Sequence, residues 1–480
     1  MEDKIKVTID YLKKKKVDYA DIRLQKKLAE SIKVKNKNVE SISRNEDQGF
    51  GIRVINSGSW GFASSSVTTE AEMKRVANKA IQIAKASAIT KKENVVLAEQ
   101  ESFVDKYQSF YQLDPFTVPL DRKIELLLNS TQILSKSKKI KVAEGYMGFY
   151  KTDKVFASTE GAYITQAILE SGAGIFATAV DDGEVQRRSY PGSHTGDFAT
   201  RGYEFIQEMR FLENAERTRE EAIQLLSADP CPDTTTTLII TGPQMALQIH
   251  ESCGHPTELD RVLGTEISLA GGSFLTLDKL SKLRYGSDKV SITADATVPG
   301  GLGTFGYDDE GVKAQRSFLV KDGLFVGYLT SRETAPVLKQ KSNGTMRADG
   351  WNRIPLIRMT NINLEPGEWE LNDLIADTQE GILVDMNKSW SIDDKRLNFQ
   401  FGAEIAWEIK DGKLGKIYKN PVYTGITPEF WNSCDAVCNR NYWRVWGVPN
   451  CGKGEPMQIM RVAHGASPTR FRNVKVGVSK

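Results

Sequence analysis

Residues 236–256 read TTLIITGPQMALQIHESCGHP. Thr236 to Thr241 reads as a buried strand. Gly242-Pro243 then opens a short helix, with proline near the first position, where a missing N–H costs little. Met245 and Ile249 fall on one apolar face of that helix. It runs into His250-Glu251-Ser252-Cys253-Gly254-His255-Pro256. The chain holds four histidines, and two of them lie in this window.

Two helix-end histidines, one capping and one packed, would account for the pair without a metal. The acid directly after the first histidine points elsewhere. It repeats the start of HExxH, in which two histidines four apart bind zinc and the glutamate is the base. Here the histidines are five apart, about 140° around an ideal helix. Two imidazoles so placed cannot share an ion. The helix must widen by a π-type turn or end between them. Gly254 is permissive and Pro256 disfavours the α region at His255. A distorted or ending helix is therefore expected at Ser252 to His255.

Catalytic zinc usually takes three protein ligands and a water. The candidates for the third are Cys253, Cys434, Cys438, Cys451, His464 and several acids. Cys253, between the histidines, is awkwardly placed. Cys434 and Cys438 have CxxxC spacing, open to a second metal, a redox pair or two core cysteines. No matching second pair exists, so the core reading is preferred. Cys451 sits in the Gly-rich run Pro449 to Gly454, where Lys453 would favour a thiolate.

Outward from this window, Ala228-Asp229-Pro230-Cys231-Pro232 marks a boundary. Before it, Ile5, Ile9 and Leu12 have helical spacing. Asp21 to Leu24, Ser31 to Val34 and Gly49 to Ile55 read as strands. Asn56 to Ser59 is a turn, and Trp60 to Ser64 is a returning strand. A helix starts at Thr69 with Glu72 as a capping box and Met73, Val76, Ala77, Ala80, Ile81 and Ala84 on one face. Glu93 to Pro119 reads as a connection. A second helix begins near Asp121, and Ile140 to Met147, Lys154 to Ala157 and Gly174 to Ala179 read as strands. Asp181 to Phe198 reads as a loop, and a helix covers Glu216 to Leu226. Past the boundary the chain is strand-rich, with Asp322-Gly323 and Asp411-Gly412 as tight hairpin turns.

The expected class is α+β. An N-terminal mixed sheet-and-helix domain covers 1–95, a middle α+β region 120–228 and a strand-rich metal-binding domain with a short helix 234–480. The chain has 480 residues, 40% apolar and 26% charged, with a net charge of +2. Near-balance gives no reason to expect a nucleic acid or an anionic membrane as partner. The N-terminal residues carry charge without an apolar h-region. No run approaches the ~20 apolar residues of a span. Five cysteines are too sparse for a disulfide scaffold. A cytoplasmic protein is expected.

Taken together, the motifs resemble the TldD/PmbA family of metallopeptidases. His250-Glu251-xxx-His255 is similar to the family's HExxxH, and Asn450-Cys451-Gly452-Lys453 to its late Cys-Gly-Lys motif. Gly49-Phe50-Gly51-Ile52-Arg53-Val54, Asp309-Glu310-Gly311 and Arg358-Met359-Thr360-Asn361 agree in kind and order. The resemblance implies zinc on His250, His255 and Cys451. It implies Glu251 activating a zinc-bound water, and an active TldD-type subunit because HExxxH is intact. It also implies a homodimer or a heterodimer with a TldE/PmbA-type subunit, acting on unfolded or small peptides.

Such a mechanism needs a strand edge for extended substrate. Gly271-Gly272-Ser273-Phe274 is a candidate edge, against an ordinary loop. Arg358, with Arg347 and Arg353, is a candidate for pinning a peptide carboxylate, against ordinary surface pairing. The competing reading is a non-catalytic peptide-binding or scaffolding subunit, its structural zinc closed by His464 or Cys253.

Overall fold

The computed structural model describes residues 2–478; Met1, Ser479 and Lys480 lie outside the described residues. The first half is built on one eight-stranded sheet. Helix α1 (Glu2–Lys14) buries Ile5, Ile9 and Leu12 against it. Strands β1 (Tyr19–Lys35), β2 (Asn38–Asn56) and β3 (Ser59–Ser65) follow as a meander. Helix α2 (Glu70–Ser87) buries the six residues its periodicity picks out. Thr69 accepts the Glu72 N–H at 3.3 Å, while the Glu72 carboxylate turns to Arg75. Strand β4 (Val104–Gln108) interrupts the connection that follows. Then come α3 (Leu120–Leu134), β5 (Ile140–Ser158), β6 (Tyr163–Asp181), β7 (Glu184–Tyr190), β8 (Asp197–Ala199) and α4 (Phe211–Ser227).

Two expectations fail here for one reason. Asp21 to Leu24 and Ser31 to Val34 are one strand of 17 residues, and Ile140 to Met147 and Lys154 to Ala157 belong to one of 19. Strand β1 pairs along its length with β2 on one side and β5 on the other. Ladders on both edges satisfy the backbone even where the side chains are polar. The stretch 181–198, expected as a loop, contains β7 and the start of β8, both paired with β6. Its arginines masked the strand. Arg188 is buried among Glu221, Asp385 and Glu404.

In the second half, β9 (Thr234–Ile240) leads into α5 (Gly242–Ile249). A small antiparallel sheet holds β10 (Ile292–Asp295), β11 (Arg316–Lys321), β12 (Leu324–Phe325) and β13 (Ile362–Leu364). Strands β14 (Glu380–Ile392), β15 (Asn398–Lys410), β16 (Lys413–Lys419) and β17 (Pro421–Ile426) follow, then β18 (Cys434–Val437), β19 (Arg444–Lys453), β20 (Gln458–Ala466) and β21 (Thr469–Val478). The order β14-β9-β21-β17-β15 closes on itself through β14–β15 pairing, which makes a barrel. Closure removes the exposed edges that an open sheet would carry. Both Asp-Gly turns form as read, with φ of 48° and 80° at Asp322 and Gly323 and 49° and 70° at Asp411 and Gly412.

The halves meet at a buried charged seam. Asp309 holds Lys154 at 2.7 Å and lies 3.6 Å from Arg23. Glu310 faces Arg53, which also grips Asp21 at 2.6 Å. Gly311 closes this turn with φ of 76°, and a Cβ there would press into the Phe156 ring.

Candidate metal centre

Helix α5 is α-helical only to Ile249. His250–Gly254 forms a π turn and His255–Thr257 a 3₁₀ turn. The widened turn absorbs the extra residue of the five-residue spacing. It sets the two imidazoles edge to face, with ring centroids 4.9 Å apart. Pro256 does not expel His255 from the helical region, since its φ and ψ are −62° and −44°. Gly254 is also helical; a Cβ there would collide with the Met359 sulfur. Close packing, and not an unusual dihedral, explains that glycine.

Cys451 arrives on a strand, where a loop was expected. It lies on β19, just past a register shift between Val448 and Cys451. Such a bulge re-aims side chains. Its Sγ is 3.7 Å from His255 Nε2. One donor atom from each of His250, His255 and Cys451 lies within 4.8 Å of the others, and this is the group of metal-capable donors found among the described residues. Tetrahedral zinc with bonds of about 2.0 to 2.3 Å needs ligand atoms about 3.5 Å apart. The spacing and the N, N, S donor set fit that ion.

The residues behind the donors fix which atoms are free. His464 Nδ1 lies 3.2 Å from the Ile362 carbonyl, which can only accept, so Nδ1 carries the proton. His464 Nε2 then accepts from His250 Nδ1 at 2.7 Å. His250 Nε2 is left with its lone pair. Likewise His255 Nδ1 donates to Glu258 at 3.1 Å, which leaves Nε2 bare. Both tautomers are thus set for ligation. Hairpin β19–β20 supplies Cys451 from one strand and His464 from the other. His464 was weighed as a closing ligand; it is instead the support of His250. Glu258 was not foreseen. Its i+3 position from His255 was the available signal.

Electrostatics favour a thiolate. Burial pushes the Cys451 thiol up, but its charged surroundings, the Arg358 guanidinium foremost, outweigh it and hold the thiol below the ordinary cysteine range. Cys253 has no such cation, Arg470 does not offset burial at Cys434 and Cys438, and all three are pushed up to about 12, chiefly by burial. Burial also lowers His250 and His255, so both are neutral.

Two expectations about cations change. Lys453 does not serve the thiolate: its Nζ binds Asp260 at 2.7 Å and the Ile357 carbonyl at 2.7 Å. It braces the acids behind His255. Arg358, expected to pin a peptide carboxylate, is 0% exposed and donates to the Cys451 and Gln458 carbonyls. It lies beneath the thiolate. Arg347 donates to the Met359 carbonyl, and Arg353 pairs with Asp349 at 3.8 Å.

Glu251 follows His250 on the π turn and is 6% exposed. Its Oε2 accepts from Arg396 Nη1 at 2.5 Å. Gly271 to Phe274 forms no strand. Phe274 N donates to the Lys395 carbonyl at 2.9 Å, and Ser273 Oγ to the Pro256 carbonyl at 2.7 Å. The loop therefore lies beside the turn that carries Arg396. A separate cavity of about 810 Å³ opens near the start of α5, lined by Arg440, Trp443, Arg444 and Trp446, and includes none of the three donors.

A family model described as the PmbA/TldA metallopeptidase C-terminal domain matches residues 234–478. The models for domain 1 and the central domain match 20–84 and 113–226. The chain belongs to the PmbA/TldD metallopeptidase family. A metalloprotease of Methanocaldococcus jannaschii is 30% identical over 420 residues, covering 88% of this chain and 89% of that protein. A zinc metalloprotease TldD homolog of Saccharolobus solfataricus is 21% identical, covering 97% and 99%. The crystal structure of TldE from Thermococcus kodakarensis superposes with a TM-score of 0.73 at 17% identity, covering 99% of this chain and 100% of that one, and shares the fold. The chain is a metalloprotease of this family, with a metal site at His250, His255 and Cys451. Among the described residues no helix is long and apolar enough to cross a membrane.

Proposed function

We propose that the chain is a TldD-type zinc peptidase that hydrolyses unfolded or small peptides, with Glu251 as its general base. One observation carries the reading: three neutral or thiolate donors converge beside Glu251, the carboxylate that follows His250 on the π turn. Zinc held there would supply a Lewis acid for the scissile carbonyl and for water.

The chain's own residues do the rest. His464 and Glu258 hold the imidazoles in their ligating tautomers. Arg358 sustains the thiolate, a role we assign in place of carboxylate pinning. Glu251 takes the proton of the attacking water and gives it to the leaving amine. Loop Gly271 to Phe274 is our candidate for contact with substrate backbone, since a Cβ at Gly272 would meet nothing within 4 Å. The fold shared with TldE supports assembly of two such chains, as a homodimer or with a TldE/PmbA-type subunit. Five free cysteines suit the cytoplasm.

The test combines metal analysis with digestion of unstructured peptides. We expect about one zinc per chain, the stoichiometry of one three-ligand site, in both wild type and Glu251→Gln. Cleavage is expected in wild type alone. Equal cleavage by the variant would remove Glu251 from the mechanism. Zinc retained after Cys451→Ala would remove the third ligand.

A further inference from the structure

Arg396 is not explained by the assignments above. It lies in the turn between β14 and β15 and has φ of 64°, a region that favours glycine. The turn is built to hold it. Arg396 N donates to the Asp393 carbonyl at 2.9 Å, and Thr427 Oγ1 to the Arg396 carbonyl at 2.9 Å. The Asp393 carboxylate takes the Leu397 and Asn398 N–H groups at 2.8 and 3.0 Å. A strained residue fixed from both sides delivers its side chain to one place. That place is Glu251, reached by Nη1. The adjacent Nε is buried without a partner among the described residues. A buried donor left unpaired is costly unless a ligand completes it. The Nε and Nη2 hydrogens form one edge of the guanidinium fork, shaped for an oxygen anion.

We propose that Arg396 is a catalytic residue that holds Glu251 by Nη1 and receives the scissile carbonyl oxygen on its Nε edge. The inference rests on the peptidase reading. Water adds to the carbonyl carbon, its proton passes to Glu251, and the π pair moves onto the oxygen beside Arg396. Collapse of the adduct breaks the C–N bond, and the proton on Glu251 leaves with the amine. The guanidinium meets charge that exists only in the adduct, so it lowers the barrier without tightening substrate binding.

The test uses an N-acetylated, C-amidated peptide and the full-length variants Arg396→Lys and Arg396→Ala. Lysine keeps a positive charge for Glu251 but lacks the Nε edge. Loss of one oxyanion donor lowers kcat about 100-fold, and we expect that fall in both variants with KM within about twofold. Zinc content and thermal midpoint should be unchanged in Arg396→Lys. The second readout is calorimetric binding of a phosphinic pseudopeptide, whose tetrahedral P–O⁻ mimics the adduct. Its affinity should fall in both variants, in zinc-loaded and in chelator-stripped protein alike. Wild-type kcat in Arg396→Lys would overturn the proposal and leave a simple ion pair. A rise in KM alone, seen only with free-acid peptides, would overturn it in favour of a terminal-carboxylate anchor. Failure of wild type to cleave any peptide would count against the peptidase reading, and the phosphinate arm would still judge Arg396.

Discussion

Two buried polar centres divide the work of this molecule, and they are built on opposite rules. At the seam, Asp309 and Glu310 each meet a cation of the other half, and the remaining oxygens take backbone N–H groups from Ala348 and Arg332. Asp308, without a cation, accepts from the N–H groups of Glu310, Val312 and Met346, and burial pushes its carboxyl up. Every charge there has its answer inside the chain. At the metal centre, two neutral imidazoles and a thiol point bare lone pairs at one another. Their outer nitrogens are fully engaged, and their inner atoms are not. A polar group that is satisfied internally assembles a protein; one left bare and oriented awaits a ligand.

The contrast can be broken most forcefully at the metal centre. Glu251→Gln should cost about 10²- to 10⁴-fold in kcat, the range for a general base, while zinc content and thermal midpoint hold. Peptide turnover, metal analysis and calorimetry read the three quantities. The seam should respond in the reverse sense. Arg53→Ala leaves Asp21 and Glu310, at 0% and 2% exposure, without their shared cation. Breaking such a buried pair costs about 3–5 kcal/mol. Urea unfolding should register that loss, while zinc per folded chain stays the same. A zinc loss equal to that of Cys451→Ala would mean the two centres are one unit.

A smaller effect sharpens the difference. Glu258→Gln removes the carboxylate behind His255 and keeps its shape. Zinc affinity should fall about 10- to 100-fold, as it does when an outer partner of a ligand is lost. Competition with a chromogenic chelator measures it. An unchanged affinity would show that the Glu258 charge does not support the imidazole.

The gentlest test concerns an acid held by backbone N–H groups and not by an ion pair. Asp197 accepts from the N–H groups of Gly447 and Phe198, and burial pushes its carboxyl up to about 7. An unfolded aspartate ionises near about 3.9. Below that value both states hold the proton. Above it only the folded chain does, so stability falls as pH rises to about 7 and is level beyond. Asp197→Asn should flatten that slope in denaturant titrations at pH 5 and 8. A slope equal to that of wild type would assign it to other groups.

The sequence by itself determined the local chemistry. His250, Glu251 and His255 declared a metal turn because residue type and spacing are local quantities. The five-residue spacing required a departure from the α-helix, and the π turn supplied it. The Thr69 cap, the apolar face of α2 and both Asp-Gly turns were equally legible, since each depends on neighbours within a few positions. What a side chain meets across the fold was not. Cys451 stands 196 positions from His255, and only the barrel and its hairpin bring them to 3.7 Å. Arg358 and Lys453 both left their expected roles because the charge a cation serves is set by its spatial neighbours. The long strands of the first sheet escaped periodicity because partners on both edges, not apolar alternation, keep them extended. Arg396, the nearest cation to Glu251, had no local signal at all. It is 145 positions away, and tertiary structure alone decided that it would stand there.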